Sequence, residues 1–343
     1  MASAPAANEP RPDWKTAHDL WLEGFVLFNF LCLTGDIVLA HASNSFRNRW
    51  EYLPVWFSPA AAAILAWALV SRLCRSYLKL WSRLGTAIAC LSIAVGIAGV
   101  VFHLDSHFFY ERTIRSLTYA APFAAPLAYM GLGSLLLMNR SVSASTSEWA
   151  KWVLFFATGG FAGNFALSLT DHAANGFFQW SEWIPVVSSA LAVGSFVVFF
   201  VQDPPRNYLK WCVAILLLQV VVGGAGFVLH LLADFHGPSR RLFINVISGA
   251  PPFAPLLLPN LAILGFLGLL AYQRTNRSEK IRPSDFPARR IWPRSSSLEN
   301  ACARLCPKSA PDETSPPASS PSAPEPACHR IRQALPLPGR HSQ

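Results

Sequence analysis

The residues able to do chemistry in this chain come in two sets at one spacing. HASNSFRNRWEYLPV (41–55) and HAANGFFQWSEWIPV (172–186) superimpose without a gap on a shift of 131 positions. His41, Asn44 and Glu51 then fall on His172, Asn175 and Glu182. A second echo, VGIAGVVFHL (95–104) and VVGGAGFVLHL (221–231), aligns Gly96, Gly99 and His103 with Gly223, Gly226 and His230. Four residues further on stand His107 and Asp234. On a continuing helix, side chains four apart share a face, so His103/His107 and His230/Asp234 have a spacing that can hold one ion. The candidate metal ligands are therefore His41, Glu51, His103 and His107 in one set, and His172, Glu182, His230 and Asp234 in the other. Asn44 and Asn175 are candidate donors that orient the carboxylates.

Imidazole with carboxylate suits a transition metal, zinc or iron foremost. With three methionines in the chain and no cysteine in the loops concerned, a soft copper(I) site is disfavoured. Haem is the less favoured cofactor: a His from each of two helices can grip its iron from both sides, but these lie at a membrane edge. The competing reading is structural. His and Asn can close helix ends, and Glu suits the positive start of the helix that holds Pro54 or Pro185.

The elements that must position these residues are membrane helices. Only 14% of residues are charged against 52% hydrophobic, and the charges are bunched between long apolar runs. Eight runs are read as spans, at about 20–40, 54–72, 84–104, 118–138, 152–171, 184–201, 211–231 and 248–272. Helices are required because lipid leaves backbone polar groups no other partner. The expected architecture is an all-α polytopic membrane protein, a tandem parallel duplication of a four-helix module. It comprises an N-terminal segment (1–19), repeat 1 (20–138), a linker (139–151), repeat 2 (152–272) and a disordered tail (273–343) rich in Pro, Ser and Arg.

Lys and Arg set the expected orientation. Arg72, Arg75, Lys79 and Arg83 crowd one loop, and the tail carries many more, which places both termini in the cytoplasm of a cell-membrane protein. Four spans per copy keep the copies in one orientation, so every repeated His, Asn and Glu falls at the outer face. Residues 1–17 lack the order of a cleavable signal, so the first span reads as an uncleaved anchor. Cys32, Cys74, Cys90 and Cys212 lie in or beside spans, and Cys302, Cys306 and Cys328 lie in the tail, a distribution that predicts no disulfides.

The expected partner is the lipid bilayer. The net charge of +9 belongs to loops and tail, and no basic-aromatic module for nucleic acid is visible. Gly96/Gly99 and Gly223/Gly226 read as close helix contacts. The proline-rich PFAAP (122–126) and PPFAP (251–255) predict breaks in the fourth and eighth spans. Asp36, inside the first span, has no counterpart in the second copy, where Leu167 stands. No nucleotide loop, Gly-x-Ser-x-Gly elbow or His-Glu-x-x-His motif occurs. The functional expectation is binding of a metal ion or redox cofactor at the outer face. The alternative is a transporter or solute-binding protein with a path at the repeat interface.

Overall fold

In the structure, a computed structural model, residues 17–74, 79–202 and 204–281 are described. Every described element is helical. The long helices are α1 (His18–Ser43), α2 (Tyr52–Leu73) and α3 (Lys79–Asp105). Two short ones follow, α4 (Phe108–Glu111) and α5 (Ile114–Thr118), then α6 (Leu127–Ser141). The remainder are α7 (Ser147–Ala174), α8 (Trp183–Val201), α9 (Arg206–Phe235), α10 (Leu242–Ser248) and α11 (Leu257–Ile281). Single 3₁₀ turns at Arg49–Glu51, Trp180–Glu182 and Ala254–Leu256 lead into α2, α8 and α11.

Seven helices are long and apolar enough to cross a membrane: α1, α2, α3, α7, α8, α9 and α11. The fourth span expected from the sequence is not among them. Its apolar run is divided by Pro122 and Pro126, and α6 keeps 15 residues. At 1.5 Å per residue it is about 22 Å long, short of a hydrocarbon core of about 30 Å. Prolines divide the last run in the same way, so α11 begins at Leu257 rather than near 248. It also continues to Ile281, so residues 273–281 are helix and the expected disordered tail does not start at 273. Residues 282–343, with Cys302, Cys306 and Cys328, lie outside the described residues, as do 1–16. The four cysteines that are described are free thiols.

The surface is inverted relative to that of a water-soluble bundle. Trp56 is 72% exposed, Val201 78% and Val221 66%, while the interior is one cluster that includes Phe30, Trp149, Phe161, Phe196 and Leu216. A surface this apolar is matched by lipid rather than water. Helices α1 and α2 pack together, as do α3 and α6; α7 packs on α8 and α11, and α9 on α11.

Two glycines allow close approaches of this kind. A Cβ at Gly96 of α3 would stand 2.6 Å from Met130 Cγ and 2.8 Å from its backbone nitrogen. At Gly223 of α9 it would stand 2.3 Å from Pro259 Cδ and 2.7 Å from the Pro255 carbonyl. Mid-span, α1 and α11 are joined by Asn29 and Asn260, which hydrogen-bond through their side-chain amides, one at 3.3 Å and one reciprocally.

Candidate functional site: two histidine pockets

Each pocket begins with a loop that turns back on the helix before it. After α1, Ser45 and Phe46 adopt φ of 60° and 51°, and the Phe46 N–H returns to the His41 carbonyl at 3.1 Å. After α7, Gly176 and Phe177 take φ of 72° and 50°, and Phe177 N–H returns to the His172 carbonyl at 2.9 Å. Left-handed backbone is costly for a bulky residue. An aromatic stack helps to hold it: Phe46 on Tyr52 at 4.8 Å, and Phe177 on Trp183 at 3.9 Å.

The next turn brings the carboxylate back. Asn48 caps the 3₁₀ turn, its side chain accepting from Trp50 N–H at 3.1 Å. Glu51 Oε1 accepts from Asn48 N–H at 3.2 Å and from Asn44 Nδ2 at 3.1 Å. In the second loop Glu182 Oε1 accepts from Gln179 N–H at 3.2 Å. These are capping boxes, and they account for one oxygen of each carboxylate. The other oxygen faces a histidine. Glu51 Oε2 lies 3.5 Å from His41 Nδ1, and Glu182 Oε2 lies 3.6 Å from His172 Nδ1. Both Oε2 atoms are buried and make no hydrogen bond. Asn175 does not repeat the Asn44 bond in the described contacts; it closes α7 through its backbone N–H on the Ala173 carbonyl.

The second histidine of each pocket is anchored by the proline break. His103 Nδ1 is 2.8 Å from the Pro122 carbonyl, and His230 Nδ1 is 2.8 Å from the Pro251 carbonyl. A carbonyl only accepts, so Nδ1 carries the proton in both and the neutral ring keeps its lone pair on Nε2. The rings of His41 and His103 lie 6.4 Å apart, centre to centre, at 85°. His172 and His230 stand close enough to interact electrostatically.

The structure thus brings together His41, Glu51 and His103; in the second loop it sets Glu182 against His172, with His230 within electrostatic range of His172. It does not bring His107 in. Helix α3 ends at Asp105, and exposed His107 begins α4 with φ of −156°, so the helical relation to His103 fails. Asp234 does keep that relation, because α9 continues to Phe235; it is 1% exposed and electrostatically coupled to His230. Among the described residues, no three His, Cys, Asp or Glu side chains are grouped so as to hold a metal ion by themselves.

Three features escape the sequence reading. The carbonyls of Pro122 and Pro251 leave a trace only as the repeated proline motif. Loop anchors are a second: buried Ser116 is bound to Thr113, and buried Asn245 donates to the carbonyls of Asp234 and Ser239 at 2.9 Å. The third is a polar cleft at the opposite end of the bundle, lined by Asp19, Glu23, Ala68, Arg72, Ser82, Asn139 and Arg140. Its signal was Asp19 and Glu23, four apart at the start of an apolar run. The chain matches no family model, no curated protein and no solved structure.

Proposed function

We propose that this is a metal-binding protein of the cell membrane, built from two copies of a four-helix module, with one histidine pocket per copy at the outer face. The duplication is supported by the paired loops, in which left-handed phenylalanine, aromatic stack, capping box and histidine-to-proline-carbonyl bond all recur at matching positions. In this reading α6 is the shortened fourth span of the first copy and α11 the eighth span, and both termini are cytoplasmic.

A single observation carries the functional reading. In each pocket one imidazole has its Nδ1 occupied by a carbonyl and the other has its Nδ1 turned to a carboxylate oxygen. Metal-binding histidines use that arrangement: the far nitrogen is fixed in place and made more basic, and Nε2 is left to ligate. Two bonds of about 2 Å at a tetrahedral angle would hold the two nitrogens about 3.3 Å apart, so the rings of His41 and His103, centred 6.4 Å apart, would close by about 1 Å on binding. Two imidazoles leave positions unfilled, so the ion, zinc or iron, takes its remaining ligands from water, solute or a cofactor.

Elemental analysis of protein purified in mild detergent tests this. The expected content is up to two ions per chain, halved by His103→Ala and by His230→Ala. A visible spectrum separates haem from a bare ion. Protein that holds no metal as purified, and binds neither zinc nor ferrous iron on titration, would sink the reading. Reporter fusions at Ser145 and at the C-terminus should both report the cytoplasm.

A further inference from the structure

The cleft at the other end of the bundle is a separate chemical environment. Asp19 and His41 are 22 residues apart on one helix, about 33 Å at 1.5 Å per residue. The cleft lies between α1, α2, α3 and α6 and has a volume of about 310 Å³, room for roughly ten waters at about 30 Å³ each. Arg72 reaches it from the end of α2 and pairs with Asp19 and, at 3.5 Å, with Glu23. Arg140 enters from α6, 3.4 Å from Glu23, and donates to the Ser82 carbonyl at 2.7 Å. Asn139 binds the Asp19 carbonyl at 3.0 Å and accepts from Trp149 Nε1 at 2.9 Å. Gly85 makes the space for Arg140, since a Cβ there would overlap its guanidinium.

Two guanidiniums here share one carboxylate, Glu23, and each has five N–H donors. Arg140 Nε is buried with no partner, and Arg72 is 39% exposed, so donor capacity remains. Among the described residues the cleft has two cationic and two anionic side chains, so a net-neutral ligand with both signs leaves that charge balanced. Its level is also marked. Trp21 and Trp67, on α1 and α2 beside the cleft residues, are 58% and 59% exposed, as aromatic side chains are where chains meet the headgroup layer.

We propose that this cleft binds the phosphoethanolamine headgroup of a membrane phospholipid, its phosphate on Arg72 and Arg140 and its ammonium on Asp19. Arginine recognises phosphate through paired, charge-assisted donors. A primary ammonium donates hydrogen bonds to a carboxylate, whereas choline cannot and instead needs an aromatic cage, which is absent among the described residues that line the cleft. The counterpart positions of Asp19 and Glu23 in the second repeat are Ala150 and Leu154, so the expected stoichiometry is one lipid per chain.

The test is native mass spectrometry of the full chain released from detergent micelles doped with phosphatidylethanolamine, phosphatidylcholine or phosphatidylglycerol. One phosphatidylethanolamine should be retained, in preference to the other two. Arg72→Gln and Asp19→Asn should each lower its retention about tenfold, the effect of losing one charge-assisted contact. Because either change can loosen the helices, Ala68→Met serves as a second variant that fills the cleft and removes no ion-pairing side chain; it should lower retention at least as much. Soluble glycerophosphoethanolamine should compete weakly. Equal retention of the three lipids, or retention unchanged by Ala68→Met, overturns the proposal. Binding of the soluble headgroup with none of the lipid shows a site for a free phosphate ester and overturns the lipid assignment.

Discussion

His103 on α3 and Pro122, nineteen residues later, are joined by a 2.8 Å hydrogen bond from the imidazole Nδ1 to the proline carbonyl. His230 and Pro251 make the same bond at the same length. Pro126 and Pro255, four residues on, have no N–H to give the Pro122 and Pro251 carbonyls, which accept from Ala125 N–H at 3.0 Å and Ala254 N–H at 3.3 Å and, in addition, from the histidine. That one bond sets the tautomer of each ring and the nitrogen it offers to the pocket.

Removing one ring from each pocket in turn should separate the pockets. His41→Ala and His103→Ala should empty the first and leave the second loaded, and His172→Ala and His230→Ala should do the reverse. Metal content per chain is the measurement. Loss of all metal from any one of the four variants would mean a single shared site.

Glu51→Gln distinguishes the cap from the pocket. Glutamine still accepts from Asn48 and Asn44 through its oxygen, so thermal stability should change little. The group facing His41 becomes an amide, and the first pocket should lose affinity. Glu51→Ala removes the cap as well and should cost about 1 kcal/mol in addition. Equal metal affinity in wild type and Glu51→Gln would confine the residue to capping.

Gly96→Val and Gly223→Val should both destabilise the protein, since each added side chain begins within 2.6 Å of atoms on the opposing element. Overpacking of this kind costs about 1–3 kcal/mol. Gly24→Ala, with nothing within 4 Å of the added carbon, is the control and should melt as wild type does in a detergent thermal-shift assay.

Asn29→Leu leaves Asn260 without its partner inside the apolar layer. Such interhelical bonds average about 0.6 kcal/mol and reach about 1.7. The single variant should lose that much, and Asn29→Leu with Asn260→Leu should recover most of it, because two leucines pack where two amides bonded. A fully additive double variant would show that the pair does not couple α1 to α11.

Much of the helical plan follows from local physics. Runs such as VWFSPAAAAILAWALV admit no other arrangement in lipid, and the helices α1, α2, α3, α7, α8 and α9 fall within a few residues of the apolar runs that predict them. The proline motifs likewise marked where two spans break, because a missing N–H and a ring clash act within four residues. Their extent was harder to read: the start of α6 at Leu127 depends on how Pro126 packs against Gly99.

The sequence by itself determined which residues repeat, that His41 and His172 close their helices, and that Glu51 and Glu182 stand one turn before a proline, since these are matters of spacing along the chain. Tertiary structure decided which of them meet. His103 reaches His41 because α3 comes back to the end of α1, whereas His107 leaves the set because its helix stops two residues short of it. The Arg72, Arg140, Asp19 and Glu23 cluster belonged wholly to the second category. Its members lie on three helices up to 121 residues apart, and charges at that separation along the chain become neighbours only when the packing of the apolar faces sets the helices side by side.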